Sequence, residues 1–178
     1  MVVNTLLSLG RAACAGIVVA VGLLVGATPS WAQHSVKLQC NSDDWVVAWP
    51  YDSVTCDGGI SSTPSNGLID LNGGDIDDGD VVAIMVTNIM DYTLISVAEF
   101  GGAPLDAYYE DQNNPSNDEK FQIENIDCDS CEIVDGSRIS LRSVSLNKYW
   151  SAAGCGGGNV NASATSRGSC EIFEIKIY

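Results

Sequence analysis

The last 44 residues, Asp135–Tyr178, read DGSRISLRSVSLNKYWSAAGCGGGNVNASATSRGSCEIFEIKIY. Ile139 and Leu141 alternate with polar neighbours, so Arg138–Arg142 reads as a half-buried strand. A short polar link leads to a second strand that ends at Ala152. The glycines of Gly154–Gly158 make a turn, and Asn159–Ala162 a third short strand. Glu171–Tyr178, EIFEIKIY, alternates again and closes the unit. Four strands fit in about forty residues, and no apolar spacing of 3.6 appears.

Working outward, the same order of parts occurs twice more. In Ser35–Leu71, Val36 and Leu38 match Ile139 and Leu141, Trp45…Ala48 matches Tyr149…Ala152, and Val54 matches Val160. A strand Trp45–Trp49, a turn Pro50-Tyr51-Asp52, a strand Val54–Cys56 broken by Asp57-Gly58-Gly59, a loop Ser61–Asn66 and a closing Leu68…Leu71 complete that copy. In Gly79–Ile126, Val82-x-Ile84-x-Val86 alternates, Tyr92–Val97 is the second strand, and Leu105-Asp106-Ala107 repeats Val160-Asn161-Ala162. Phe121-x-Ile123 closes it as Phe173-x-Ile175 closes the last. Asp78-Gly79 precedes its first strand as Asp135-Gly136 precedes Arg138. Three self-similar units, about 35–71, 79–126 and 135–178, outrank any local motif in setting the fold. The expected fold is all-β: a β-trefoil of three four-stranded repeats, six strands in a barrel and six in a hairpin cap. A β-sandwich is the competing all-β arrangement.

The run Asn147-Lys148-Tyr149-Trp150-Ser151-Ala152, the glycines after it, and Glu171-x-Phe173-Glu174-Ile175 resemble one repeat of the fascin-like β-trefoil family. The resemblance is closest over 135–178 and fades towards 35–71. In that family these residues build the repeat, so the resemblance implies fold first. Fascins bundle actin with several trefoils in one chain, whereas this chain has room for one. The repeats favour disulfides local in sequence, Cys40–Cys56 and Cys155–Cys170, which leaves Cys128 to pair with Cys131.

Residues 1–32 read as a cleaved secretory signal peptide. Arg11 precedes an apolar run, Ala12–Ala27, and Pro29-Ser30-Trp31-Ala32 places small residues before a cut at Gln33. The run is shorter than the roughly 18–20 residues that span a bilayer. Cleavage leaves one domain, 33–178, with seven Lys and Arg against 23 Asp and Glu, a formal charge of −16. That charge speaks against nucleic acid, whose phosphates need cations, and against anionic membrane surfaces. Six cysteines in an exported chain point to three disulfides, among fifteen arithmetical connectivities. The expected location is extracellular or periplasmic.

Chemistry-bearing constellations are few. His34 is the only histidine, so Ser/His/Asp and Cys/His catalysis lack a base, and the chain is expected not to be an enzyme. C-x-x-C at Cys128 and Cys131 lacks the helix of a redox motif and the partners of a zinc site. The acidic link supplies Asp70, Asn72, Asp75, Asp77, Asp78 and Asp80, hard oxygen ligands spaced by glycines that suit Ca²⁺. The competing reading is a solvated turn between repeats. Aromatics beside acids suit sugar rings, which stack on flat faces and hydrogen-bond to carboxylates. Trp49, Tyr51 and Asp52 at a hairpin turn, and Tyr108 and Tyr109 at the head of a long loop, are the candidate ligand-binding residues. Turn cover is their competing role. Trp45, Tyr92, Tyr149 and Trp150 read as structural, with the parity of Tyr149 and Trp150 open. The functional expectation is a secreted module binding a glycan or a cell-surface partner. Self-assembly as an adhesive or filament subunit, and actin binding, are the alternatives.

Overall fold

A computed structural model describes residues 33–48, 53–58, 66–87, 92–97, 104–108 and 114–178. Their strands are β1 (Gln33–Gln39), β2 (Trp45–Val47), β3 (Thr55–Gly58), β4 (Asn66–Asp70), β5 (Val81–Thr87), β6 (Tyr92–Val97), β7 (Leu105–Tyr108), β8 (Phe121–Asn125), β9 (Arg138–Ser143), β10 (Tyr149–Ala152), β11 (Gly158–Ala164) and β12 (Phe173–Ile177).

Six of them close on themselves. β1 pairs with β4, β4 with β5, β5 with β8, β8 with β9, β9 with β12 and β12 with β1, all antiparallel. Closure leaves this ring no unpaired edge. The other six form the hairpins β2–β3, β6–β7 and β10–β11, each rooted in the barrel strand before it. The hairpins cap one end of the barrel and meet in a triangle. Ser53 bridges Asp106, Pro104 bridges Asn161, and Asn159 pairs with Thr55. At its centre Val54, Leu105 and Val160 are buried, and the Val54 amide donates to the Leu105 carbonyl as the Val160 amide donates to that of Val54, both at 2.8 Å.

Alternation fills the interior. Leu38, Leu68, Ile84, Ile123, Leu141 and Ile175 turn inward from the six ring strands. Trp150 is 0% exposed and stands edge-on to Phe121, with ring centres 4.9 Å apart, and to Phe173 at 6.3 Å. This settles the parity: Trp150 enters the core, and Tyr149 is half-buried on the outer wall. Hairpins β2–β3 and β10–β11 each carry a bulge directly after their first residue, between Trp45 and Val46 and between Tyr149 and Trp150. A bulge at the same step supports the matching of Trp45 with Tyr149.

Several expected boundaries move. Asp57 and Gly58 continue β3 rather than break it, and Asn66 opens β4 rather than ending a loop. β11 extends past Asn159–Ala162 at both ends. In each case ladder pairing to a neighbouring strand outweighs the weak strand propensity of Asp, Asn and Gly. β5 departs from half-burial. Its outward residues Ala83 and Met85 pack with Ile69 and Leu94 in a second apolar cluster, so both faces are buried.

Two buried glutamates hold the entries to closing strands. Glu119 caps a 3₁₀ turn by accepting from the Ser116 amide, and Glu171 accepts from the Gly168 amide at 2.7 Å and from the Ser151 hydroxyl at 2.6 Å. Each precedes a core phenylalanine by two residues, in Glu119-Lys120-Phe121 and Glu171-Ile172-Phe173. The cysteines pair as Cys40–Cys56, Cys128–Cys131 and Cys155–Cys170, with Cα separations of 6.5, 5.6 and 4.1 Å.

Candidate functional site at the open end of the barrel

Opposite the hairpin cap, β1 and β5 begin, β4 and β8 end, and β12 finishes the described chain. Two connections cross this open end: the acidic link 71–80 and the loop 126–137, which carries Cys128 and Cys131. They are tied together. The Ile133 amide donates to the Ile76 carbonyl at 2.7 Å, the Asp78 amide donates to the Cys131 carbonyl at 3.0 Å, and Asp77 bridges Glu132. Ile76 and Ile133 are both buried and plug the barrel from this side.

The acidic link is therefore more than a solvated turn. Its oxygens accept from backbone amides: Asp70 Oδ1 from Asn72 at 2.8 Å, Asn72 Oδ1 from Val81 at 2.7 Å, and Asp80 Oδ2 from Asp77 at 2.7 Å. Asp78 uses both oxygens, accepting from Asn125 at 2.7 Å and from Ser130 at 2.9 Å, and so fastens the link to both β8 and the Cys128–Cys131 loop. Asp75 and Asp77 are exposed. Among the described residues no three His, Cys, Asp or Glu side chains are grouped to hold a metal ion. The calcium expectation draws no support from this arrangement, because four of its six residues, Asp70, Asn72, Asp78 and Asp80, have oxygens turned onto amides.

Asp70 differs from the others. It is 0% exposed, and its Oδ2 has no hydrogen-bond partner. Burial pushes its carboxyl above the ordinary carboxylate range. Asp80 pushes in the same direction, and the amides of Asn72 and Gly73 and the nearby His34 oppose them. In the β1–β4 ladder His34 lies opposite Leu68, so Asp70 stands two residues beyond on the same face. His34 Nε2 is likewise buried without a partner.

Of the sequence-nominated aromatic sites, Trp49, Tyr51, Asp52 and Tyr109 lie outside the described residues. For Tyr108 only the backbone is described, at the end of β7 opposite Leu94. Ser53, which follows Asp52, is bridged to Asp106, two positions before Tyr108. Trp45 is buried, in keeping with a structural role.

One cluster escaped sequence reasoning. On the outer wall of β8, β9 and β10, Glu124 accepts from the Tyr149 hydroxyl at 3.3 Å and from Ser140 at 3.4 Å. Arg142 approaches it at 3.5 Å and Arg167 at 3.2 Å. Arg142 also bonds Gln122, donates to Asn147 at 3.1 Å and covers the Tyr149 ring at 5.9 Å. The alternation of Gln122 and Glu124 with Phe121 and Ile123 marks the outer face, but only the register Glu124–Ser140 and Gln122–Arg142 brings the group together. Further along β9, Arg138 bonds Asp127 at 2.8 Å and holds that carboxyl below its usual range.

No family model matches the sequence, and no curated protein matches it. Solved structures do resemble it. The SDF2-like protein from Arabidopsis thaliana superposes with a TM-score of 0.61 at 12% identity, over 82% of this chain and 92% of that one. A Caenorhabditis elegans protein of unknown function gives 0.63 at 13%, over 84% and 98%. The S. cerevisiae protein O-mannosyltransferase Pmt1-Pmt2 complex bound to the sugar donor gives 0.64 at 10%, over 82% of this chain and 25% of that one. At such identities the likeness is one of fold. The chain has a β-trefoil-like fold stapled by three disulfides. Among the described residues no helix is long and apolar enough to cross a membrane.

Proposed function

We propose that the chain is exported, loses residues 1–32, and acts as a disulfide-stapled β-trefoil binding module of the fascin-like type whose ligand is a glycan, free or on a cell surface. The chemistry is recognition rather than catalysis. The observation that carries the reading is the Ser53–Asp106 bridge. It joins the residue after Asp52 to the one two positions before Tyr108, next to two stretches that the sequence selects independently, Trp49–Asp52 and Tyr108–Tyr109, although they lie far apart along the chain. Aromatic rings beside carboxylates are the groups that stack on sugar rings and accept from their hydroxyls. A net charge of −15 for the full chain directs the choice towards neutral or cationic glycans over sulfated ones. The test is a glycan array probed with residues 33–178, alongside a variant carrying Trp49→Ala and Tyr109→Ala. Binding to a defined set of glycans, lost in the variant, is the expected outcome.

A further inference from the structure

The open end of the barrel holds a cavity of about 270 Å³ that the proposed glycan site does not use. Its walls have two characters. Asp75, Glu132 and Asp135 bring three carboxylates to it, while Ile76, Ile133 and Ile177 give apolar surface, with Val134 at the rim, 51% exposed. Asp135 spends one oxygen on the Ile177 amide at 3.1 Å. The carboxylates of Asp75 and Glu132 have no bonded partner among the described residues. The nearby cation Lys176 is already paired with Glu174. One polar atom of the lining, Nε2 of His34, is buried without a hydrogen-bond partner. A buried polar atom left unpaired costs stability, which a polar ligand in the cavity would recover.

We propose that this mouth binds a small aliphatic primary ammonium ion. An ammonium has three donors and no acceptor, matching the carboxylates of Asp75, Glu132 and Asp135. Its methylenes lie against Ile76, Ile133 and Ile177. A divalent metal fits less well, because among the described residues no three ligating side chains converge. An anion meets three carboxylates, and a neutral sugar leaves their charge unanswered. The volume lies just below the roughly 300–1,000 Å³ of drug-sized pockets, which limits the ligand to a short chain.

The test is an NMR titration of residues 33–178 with n-butylamine hydrochloride at neutral pH and low ionic strength. Tetramethylammonium chloride, calcium chloride and glucose serve as comparators. Saturable shifts at the Val134 and Ile177 methyls with butylamine are expected. Tetramethylammonium, which has no N–H, binds at least tenfold more weakly. Asp75→Asn combined with Glu132→Gln weakens butylamine at least tenfold while leaving the circular dichroism spectrum and melting temperature unchanged, since neither carboxylate makes a bond in the fold. No saturable shift, an affinity untouched by the double substitution, or displacement of butylamine by calcium at equal concentration overturns the proposal. The glycan array reads a different surface, so either result stands or falls without the other.

Discussion

Trp150 shows what one residue contributes. Its indole is fully buried between Phe121 and Phe173, so it ties the closing strand of the second repeat to the hairpin and closing strand of the third. Trp150→Ala should cost about 3–5 kcal/mol, the loss of a large core side chain plus the cavity it leaves. Urea unfolding at neutral pH measures it. Sequence alone left Trp150 and Tyr149 undecided, because both suit a strand and only the bulge between them fixes which turns inward. Asp70 makes the opposite point. The sequence places it in an acidic link with its neighbours, whereas pairing to Val82 puts it at the end of β4 with one carboxylate oxygen buried and unpartnered. Its carboxyl is raised by burial, so the folded state takes up the proton more readily than the unfolded chain. The linked stability is present in full at pH below the ordinary carboxylate range and is lost as pH rises through the raised value. Asp70→Asn should therefore stabilise the protein at pH 7, by about 1 kcal/mol. The advantage should shrink as the pH falls through the carboxylate range, as read from melting curves of both proteins at each pH.

At the level of elements, the strands of the last repeat were legible because Ile139, Leu141, Phe173 and Ile175 keep strict alternation and glycines mark the turn. The first repeat was less so. Asp57, Gly58 and Asn66 read as breakers, yet they sit in ladders whose partner strands come from elsewhere in the chain. The capping glutamates, Glu119 and Glu171, went unnoticed in a chain with 23 acids, although each stands two residues before a core phenylalanine. The disulfides follow the repeats. Cys40–Cys56 and Cys155–Cys170 close loops of 16 and 15 residues. The loop-entropy estimate gives about 3 kcal/mol for each, against the 5–15 kcal/mol typical of a whole domain. Cys128–Cys131 spans three residues and contributes least. Reduction should lower the melting temperature sharply, and thiol titration of unfolded, unreduced residues 33–178 should find no free thiol. Two or more would contradict the three pairings.

For the whole molecule, ring closure directs the proposed sites to the ends. The barrel wall is a packed ladder. The connections between strands run over the hairpin cap and the open mouth. The wall still carries one organised patch, Glu124 with Arg142, Arg167 and Tyr149, which brings two of the chain's eight Lys and Arg onto one carboxylate. We assign it to tying β8, β9 and β10 together. The mouth was partly legible, since the acidic link announced itself, but its partner loop 126–137 is about fifty residues away in sequence, and the bonds of Ile76, Asp77 and Asp78 that bring the two together have no sequence signature. The proposed glycan surface rests on residues the sequence selects and on the bridge between Ser53, next to Asp52, and Asp106, two positions before Tyr108. The most direct measurement is the glycan array with residues 33–178. The account predicts saturable binding to a restricted set of neutral or cationic glycans, abolished by Trp49→Ala with Tyr109→Ala in a protein that melts as the parent does. A folded, disulfide-intact protein that binds no glycan on the array, or binds identically after both substitutions, would contradict it.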